Sequence, residues 1–382
     1  MKGLGVNLYP WDVVGAPECP DQIAELGADR VTLAAAYHTV RALSPRHPSR
    51  KVVTATHSAV YYRPERTHWQ DSLLKPAEAA WAPGAFTDGA KALRAAGLKV
   101  YAWTILAHNQ RLGTMHSDHA VTNAFGDPYA WALCINSPEV RTYCALLAAE
   151  VAAQPNIDGI ELESCGWYGF DHLHAHDKTS GIAFDPATKF LLNLCFCAAC
   201  TSSYEAAGIT GLRDVVRAAL APVFLGATPS ATLPPDLLEA VAALRNDIAS
   251  RFQAEAVAAV RRTRADLPIL LHTTPDALAA GANPGAIPDG TFGAVLQSGG
   301  RRTDAALTDL RTYAEAMAKA GTGTPQPLAA TVNIVNGMGS NHPELPTWVD
   351  ELRAAGAEEL RLYHAGLASA ADLAAVRALS SH

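Results

Sequence analysis

Eight short runs rich in Val, Ile and Leu recur along the chain, at residues 3–9, 30–36, 98–104, 158–164, 267–272, 292–297, 328–333 and 359–364. Between them, apolar residues return at 3.6-residue spacing over 84–96, 138–153, 236–265, 304–320, 346–355 and 368–379, the signature of amphipathic helices. Several of these segments end in Gly, as at Gly97 and Gly356, which is common at helix C-termini. Strand followed by helix, eight times over, predicts a (β/α)8 TIM barrel, with residues 1–382 as one barrel. A doubly wound sheet is the alternative, but it carries a Gly-rich phosphate turn after its first strand. Here the first run ends in Asn7-Leu8-Tyr9-Pro10-Trp11, with no such turn.

Two connections are long. Residues 38–83 follow strand two and residues 165–266 follow strand four, both leaving the C-terminal ends of their strands, where barrel enzymes place their chemistry. The second reads as mainly helical, so residues 165–266 are expected to form a helical subdomain inserted between strands four and five.

Composition narrows the class. Of 382 residues 49% are apolar and 18% charged, enough for a large core and incompatible with global disorder. Thirty basic residues against 37 acidic ones leave a net charge of −7, which argues against nucleic acid or an anionic membrane surface as partner. No run of 18 apolar residues predicts a membrane span. The opening MKGLGVNLYPW lacks the apolar core of a secretory signal, so a cytoplasmic location is expected. The pattern leaves room for a homo-oligomer.

The most informative run is Asp158-Gly159-Ile160-Glu161-Leu162-Glu163-Ser164. Side chains alternate along a strand, so Ile160 and Leu162 face the helices while Glu161 and Glu163 face the barrel interior. Two acids buried in an apolar strand need a partner or a purpose. Glu163 lies nearer the C-terminal mouth and is the candidate to meet substrate. Glu161 lies one layer deeper, either catalytic or a structural acid paired with an Arg such as Arg361.

Other strand ends are polar or aromatic: Asn7 and Tyr9, His38, Trp103 with His108 and Asn109, His272, Gln297, Asn333, and Tyr363 with His364. Together they predict a cavity lined for a hydroxyl-rich ligand, with aromatic stacking faces. After strand four, His172, His174 and His176 fall at every second residue, so an extended chain presents them on one side, for substrate or a divalent metal. Ser298-Gly299-Gly300-Arg301-Arg302 holds too few glycines to specify a phosphate cradle.

Cys195, Cys197 and Cys200 crowd into a Cys-x-Cys-x-x-Cys cluster. Three thiolates at this spacing need one more ligand to close a tetrahedral zinc site, and Cys134 is the best candidate. Such a site would be structural; buried free thiols are the plainer alternative. Cys19, Cys144 and Cys165 read as core fillers. Ser137 followed by Pro138 predicts an N-cap with Pro at N1.

At these residues the chain resembles glycoside hydrolase barrels, especially family 42 β-galactosidases. Cys134-Ile135-Asn136-Ser137-Pro138, Glu163 and the Cys195/Cys197/Cys200 cluster occur in the order of that family's Cys-Pro-Asn-Ser-Pro-like segment, strand-four catalytic Glu and zinc cysteines. The likeness covers roughly residues 100–200. It departs at Leu162, where the family has Asn beside the acid, and at residues 328–333, which lack the family's strand-seven Glu nucleophile; the next acid is Glu344. The acidic strand-four run also looks like that of family 18 glycosidases, with Cys165 where their acid stands.

Glycoside cleavage uses two carboxyls, about 5–5.5 Å apart for retention and about 6.5–9.5 Å for inversion. Glu161 and Glu163 are separated by roughly 6.6 Å along one strand, a poor geometry for flanking a bond. Asp276, just past strand five, is the first candidate for a second acid, with Glu65 and Asp12 behind it. The expectation is therefore a glycosidase acting on a small glycoside, with Glu163 as general acid and Glu161 or Asp276 as base or nucleophile. A metal-dependent lyase or isomerase using Glu163 with the histidines, and a non-catalytic sugar-binding barrel, are the alternatives.

Overall fold

All eight apolar runs form strands, and their parallel pairing closes a barrel. The computed structural model describes residues 3–172, 177–274, 276, 278, 283–284, 288–296, 302–320 and 327–379. The strands are β1 (Leu4–Leu8), β2 (Arg30–Tyr37), β3 (Lys99–Ile105), β4 (Gly159–Glu163), β5 (Ile269–Thr274), β6 (Gly293–Leu296), β7 (Leu328–Asn333) and β8 (Glu359–Tyr363). Each pairs in parallel with the next, and β8 closes on β1 in the register Leu4–Leu360 and Val6–Leu362. The chain is a (β/α)8 TIM barrel.

Its two faces explain the composition of the strands. Leu4, Val6, Leu8, Val31, Leu33, Ile160, Leu162, Leu360 and Leu362 are fully buried on the helix-facing side. Both faces are covered, so the strands read as continuous apolar runs. Inside, Tyr101, Leu270, Val295 and Ala329 form a separate small core. Gly159 is required there: a Cβ would stand 2.3 Å from the Tyr101 ring. Arg30, Glu359, Arg361 and Glu161 form a charged layer inside the barrel and are buried with one another.

The helices follow the periodic segments: Ala85–Ala95, Pro138–Ala152, Pro235–Thr263, Asp304–Ala320, Leu345–Ala354 and Ala370–Leu379. Ser137 occupies the N-cap position with Pro138 after it, but its hydroxyl makes no cap bond; it donates to Glu139 (2.9 Å) and contacts His119 Nδ1 (2.9 Å). The connection between β4 and β5 contains the helices Pro186–Leu192, Ala198–Ala206, Leu212–Phe224 and the 29-residue Pro235–Thr263.

Two hairpins escape the sequence pattern, Val40–Leu43 with Val52–Ala55 and Ala120–Thr122 with Pro128–Leu133. The first lies outside the barrel with mixed burial, so no face repeats long enough to read. The β2–β3 excursion is anchored by buried Glu150, which accepts from Tyr62 Oη (3.1 Å), Glu65 N (2.7 Å) and Trp69 Nε1 (3.0 Å). Among the described residues, no helix is long and apolar enough to cross a membrane.

Candidate active site and metal cluster

A line of charged groups rises through the barrel to its C-terminal mouth. It starts at Asp29, whose carboxylate takes Arg30 Nε (2.8 Å), and continues from Arg30 Nη1 to Glu359 (2.8 Å). Arg361 bridges Glu359 (3.0 Å) and Glu161 (2.7 Å). Glu161 is fully buried, and its other oxygen lies 3.4 Å from His272 Nε2. His272 Nδ1 in turn lies 3.5 Å from Glu163 Oε2, which also accepts the Trp103 indole N–H at 2.6 Å.

Alternation on β3, β4, β5 and β8 brings these groups together. Burial alone would push the Glu161 carboxyl up, but Arg361 and His272 overcome it and hold the group down at about 2. Burial likewise disfavours a charged His272, yet Glu163 and Glu161 outweigh it and raise the ring above its ordinary value. An imidazole with a carboxylate at each nitrogen satisfies both only when doubly protonated.

Glu163 ends β4, and its side chain keeps 13% exposure while its neighbours are sealed. Ser164 follows with φ +60°, a left-handed conformation uncommon for a residue with a side chain. The chain thereby turns away from the strand direction directly after the acid.

Aromatic rings surround this acid. Tyr9 stacks on His364 (4.2 Å between centroids) and on Trp11 (4.5 Å), with its hydroxyl 3.5 Å from that of Tyr37. Tyr37 meets Trp103 edge-on at 4.8 Å, and Tyr363 does so at 6.4 Å. Burial drives His364 down to about 3, so the ring is neutral, and its Nδ1 accepts the Gly366 N–H. A second ring group continues outward: His38 stacks on His108 (4.4 Å), and His172 meets both His108 and Tyr168 edge-on at 4.5 Å.

The remaining candidates lie elsewhere. Asn109 caps the Gln110–Met115 helix, accepting from Leu112 N and donating to Tyr143 Oη, which engages both ends of its amide. Asn333 is tied to its own loop, donating to Met338 O and accepting from Val335 N. Asn7 is buried in β1, its Oδ1 without a partner among the described residues. Asp276 is exposed beyond β5, its carboxylate accepting Leu278 N–H at 2.8 Å. Among the described residues no contact joins it to Glu161 or Glu163. Gln297, His174 and His176 lie outside the described residues, as do residues 298–301 of the glycine-containing segment.

Tyr37 and Tyr168 stand among the groups around Glu163 and were not singled out in the sequence. Strand two was expected to stop at residue 36, one short of Tyr37. Nothing in the Gly166-Trp167-Tyr168 loop distinguishes Tyr168 from a core aromatic.

Cys134, Cys195, Cys197 and Cys200 are buried with all four Sγ atoms within 4.8 Å of one another. Cys134 Sγ lies 3.4 Å from Cys200, 3.7 Å from Cys195 and 3.5 Å from Cys197. A tetrahedral metal with sulfur bonds of about 2.3 Å requires S···S edges of roughly 3.8 Å, so the cluster fits a metal ion with little adjustment. Among the described residues it is the one group of potential ligands whose donor atoms converge. The histidines 38, 108 and 172 meet instead as packed rings.

No protein-family model matches the chain, and no curated protein matches it in sequence. Solved structures do match in shape. The glycoside hydrolase domain of PgaB (BpsB) from Bordetella bronchiseptica aligns over 99% of this chain and 98% of its own, at 15% identity and a TM-score of 0.58. The β-galactosidase of the psychrophile Marinomonas ef1 aligns over 99% of this chain and 59% of its own, at 13% identity and a TM-score of 0.59. Alpha-L-fucosidase isoenzyme 2 of Paenibacillus thiaminolyticus aligns over 100% and 49%, at 14% and 0.58. This chain thus spans about half to three-fifths of the latter two. At such identities the likeness shows a barrel fold shared with glycoside hydrolases.

Proposed function

We propose that this barrel is a carbohydrate-active enzyme that hydrolyses a glycoside at its C-terminal mouth, with Glu163 as the acting carboxyl. The observation carrying this reading is the setting of Glu163: a partly exposed acid at the end of β4, clasped by Trp103 and His272 and ringed by tyrosines. Rings of this kind suit the apolar faces of a sugar, and the acid suits its glycosidic oxygen.

Glu161 takes a different part from the one its spacing suggests. A fully buried carboxyl held at about 2 keeps no proton to give near neutral pH and meets no substrate. We assign it as the positioning residue of His272. Asp276, exposed beyond β5, remains the candidate for the opposing carboxylate, which it could become only by turning in from its present bond to Leu278 N–H.

The four cysteines hold a structural zinc in this reading. With four protein ligands such a site has no open position, so the ion clamps the β4–β5 connection to the segment before Pro138 and takes no part in bond cleavage.

A second reading has an observation of its own. β7 contains no acid and ends in Asn333, whose amide is used by its own loop, where the family resembled carries its nucleophile. A barrel of this kind would bind sugar without cleaving it. Hydrolysis of aryl glycosides and disaccharides, followed by product analysis, separates the readings. Release of sugar supports the enzyme, and saturable sugar binding without release supports the binding barrel.

A further inference from the structure

The Pro235–Thr263 helix turns one cation into the protein interior. Arg245 is 1% exposed, its guanidinium between the rings of Trp167 (4.6 Å) and Phe190 (5.3 Å). Its Nη1 donates to Asn193 O at a long 3.5 Å, while Nε and Nη2 have no hydrogen-bond partner among the described residues. No carboxylate pairs with it among the described residues.

Such a cation requires an explanation. Burying an unpaired charge is costly, and stacking on aromatic rings offsets only part of that cost. The guanidinium lies within charge-interaction range of Cys200, Cys195 and Cys134, which become negative once a metal ionises them; the Tyr204 phenol, pushed up by burial, is neutral. Asn193, whose carbonyl it touches, stands two residues before Cys195. Four thiolates around a divalent ion leave a formal double negative charge on a buried cluster, which needs compensation in turn. Among the described residues the polar contacts to the sulfurs include Cys197 N–H to Cys195 Sγ (3.5 Å), the Cys200 backbone N–H to Cys197, and Asn136 Nδ2 3.9 Å from Cys200 Sγ; none of them carries a full positive charge.

We propose that Arg245 is the counter-cation of the metal–tetrathiolate cluster, the two buried charges being stable only together. This rests on the metal reading of the four cysteines. Arg245 touches no substrate and acts on the fold through the cluster. Loss of the metal should therefore convert Arg245 from a stabilising residue into a destabilising one.

The test uses the full chain as wild type, Arg245→Met and Arg245→Lys. Zinc affinity is measured by chelator competition, and urea unfolding is followed for zinc-loaded and zinc-stripped protein. Arg245→Met should bind zinc at least tenfold more weakly, with Arg245→Lys within about threefold of wild type. Loaded Arg245→Met should unfold at lower urea than loaded wild type, and stripped Arg245→Met at equal or higher urea than stripped wild type. Unchanged zinc affinity in Arg245→Met overturns the proposal, as does an equal loss of stability in both states, the mark of packing alone. If Arg245→Met does not fold, Arg245→Lys decides: a tenfold loss of affinity there overturns the proposal, and retention supports it. Wild type that binds no zinc removes the metal reading as well, whereas zinc bound without any effect of Arg245 removes only the counter-cation.

Discussion

His272 lies between two carboxylates, its Nε2 3.4 Å from Glu161 Oε2 and its Nδ1 3.5 Å from Glu163 Oε2. Its folded pKa is raised above the ordinary 6.5 by those acids, against the effect of burial. The stabilisation is therefore complete below about pH 6.5 and lost as pH rises through the folded value. The stability gap between wild type and His272→Gln should be widest below about pH 6.5 and shrink as pH rises above it. Urea unfolding across that range measures it; a gap that stays constant would separate His272 from both carboxylates.

Glu161 predicts the opposite slope. Its carboxyl is held at about 2 against an ordinary 4.5, so its contribution is present above about 4.5 and disappears as pH falls through about 2. Glu161→Gln breaks a buried pair with Arg361 and should cost about 3 kcal/mol or more near neutral pH. Acid titrations followed by circular dichroism should show a shallower decline for the variant between about pH 4.5 and 2.

The legibility of these groups in the sequence was uneven, for physical reasons. The eight strands were readable because helices cover one face and the interior fills the other, leaving apolar runs such as 30–36. Glu161 facing inward followed from alternation alone, and the sequence offered Arg361 as one possible partner, a pairing the structure shows at 2.7 Å. The His272 bridge was not readable, since it depends on two neighbouring strands meeting at one height. Asn109 and Asn333 show the reverse. At a strand end a polar residue looks like a ligand group, while helix capping and loop bonding use the same side chain.

Glu150 should hold the β2–β3 excursion in place. Glu150→Ala removes the acceptor for Tyr62 Oη, Glu65 N and Trp69 Nε1 and leaves buried donors unpaired. Amide exchange in residues 59–74 should quicken by ~10-fold or more, with the barrel strands unaffected. Uniform quickening across the whole chain would mean that the residue supports the global fold instead.

The cysteine cluster should carry one divalent ion per chain. Chelation should lower the melting temperature while leaving turnover per folded molecule unchanged at temperatures where the stripped protein stays folded. Loss of turnover in step with metal, before any unfolding, would place the ion in the chemistry.

The most direct test of the whole account is turnover of a glycoside panel by wild type and by Glu163→Gln, with the fold of both checked by circular dichroism. The account predicts hydrolysis by wild type and a fall of at least ~100-fold in the variant, the scale of losing an acid–base group. Equal rates in two folded proteins would contradict it.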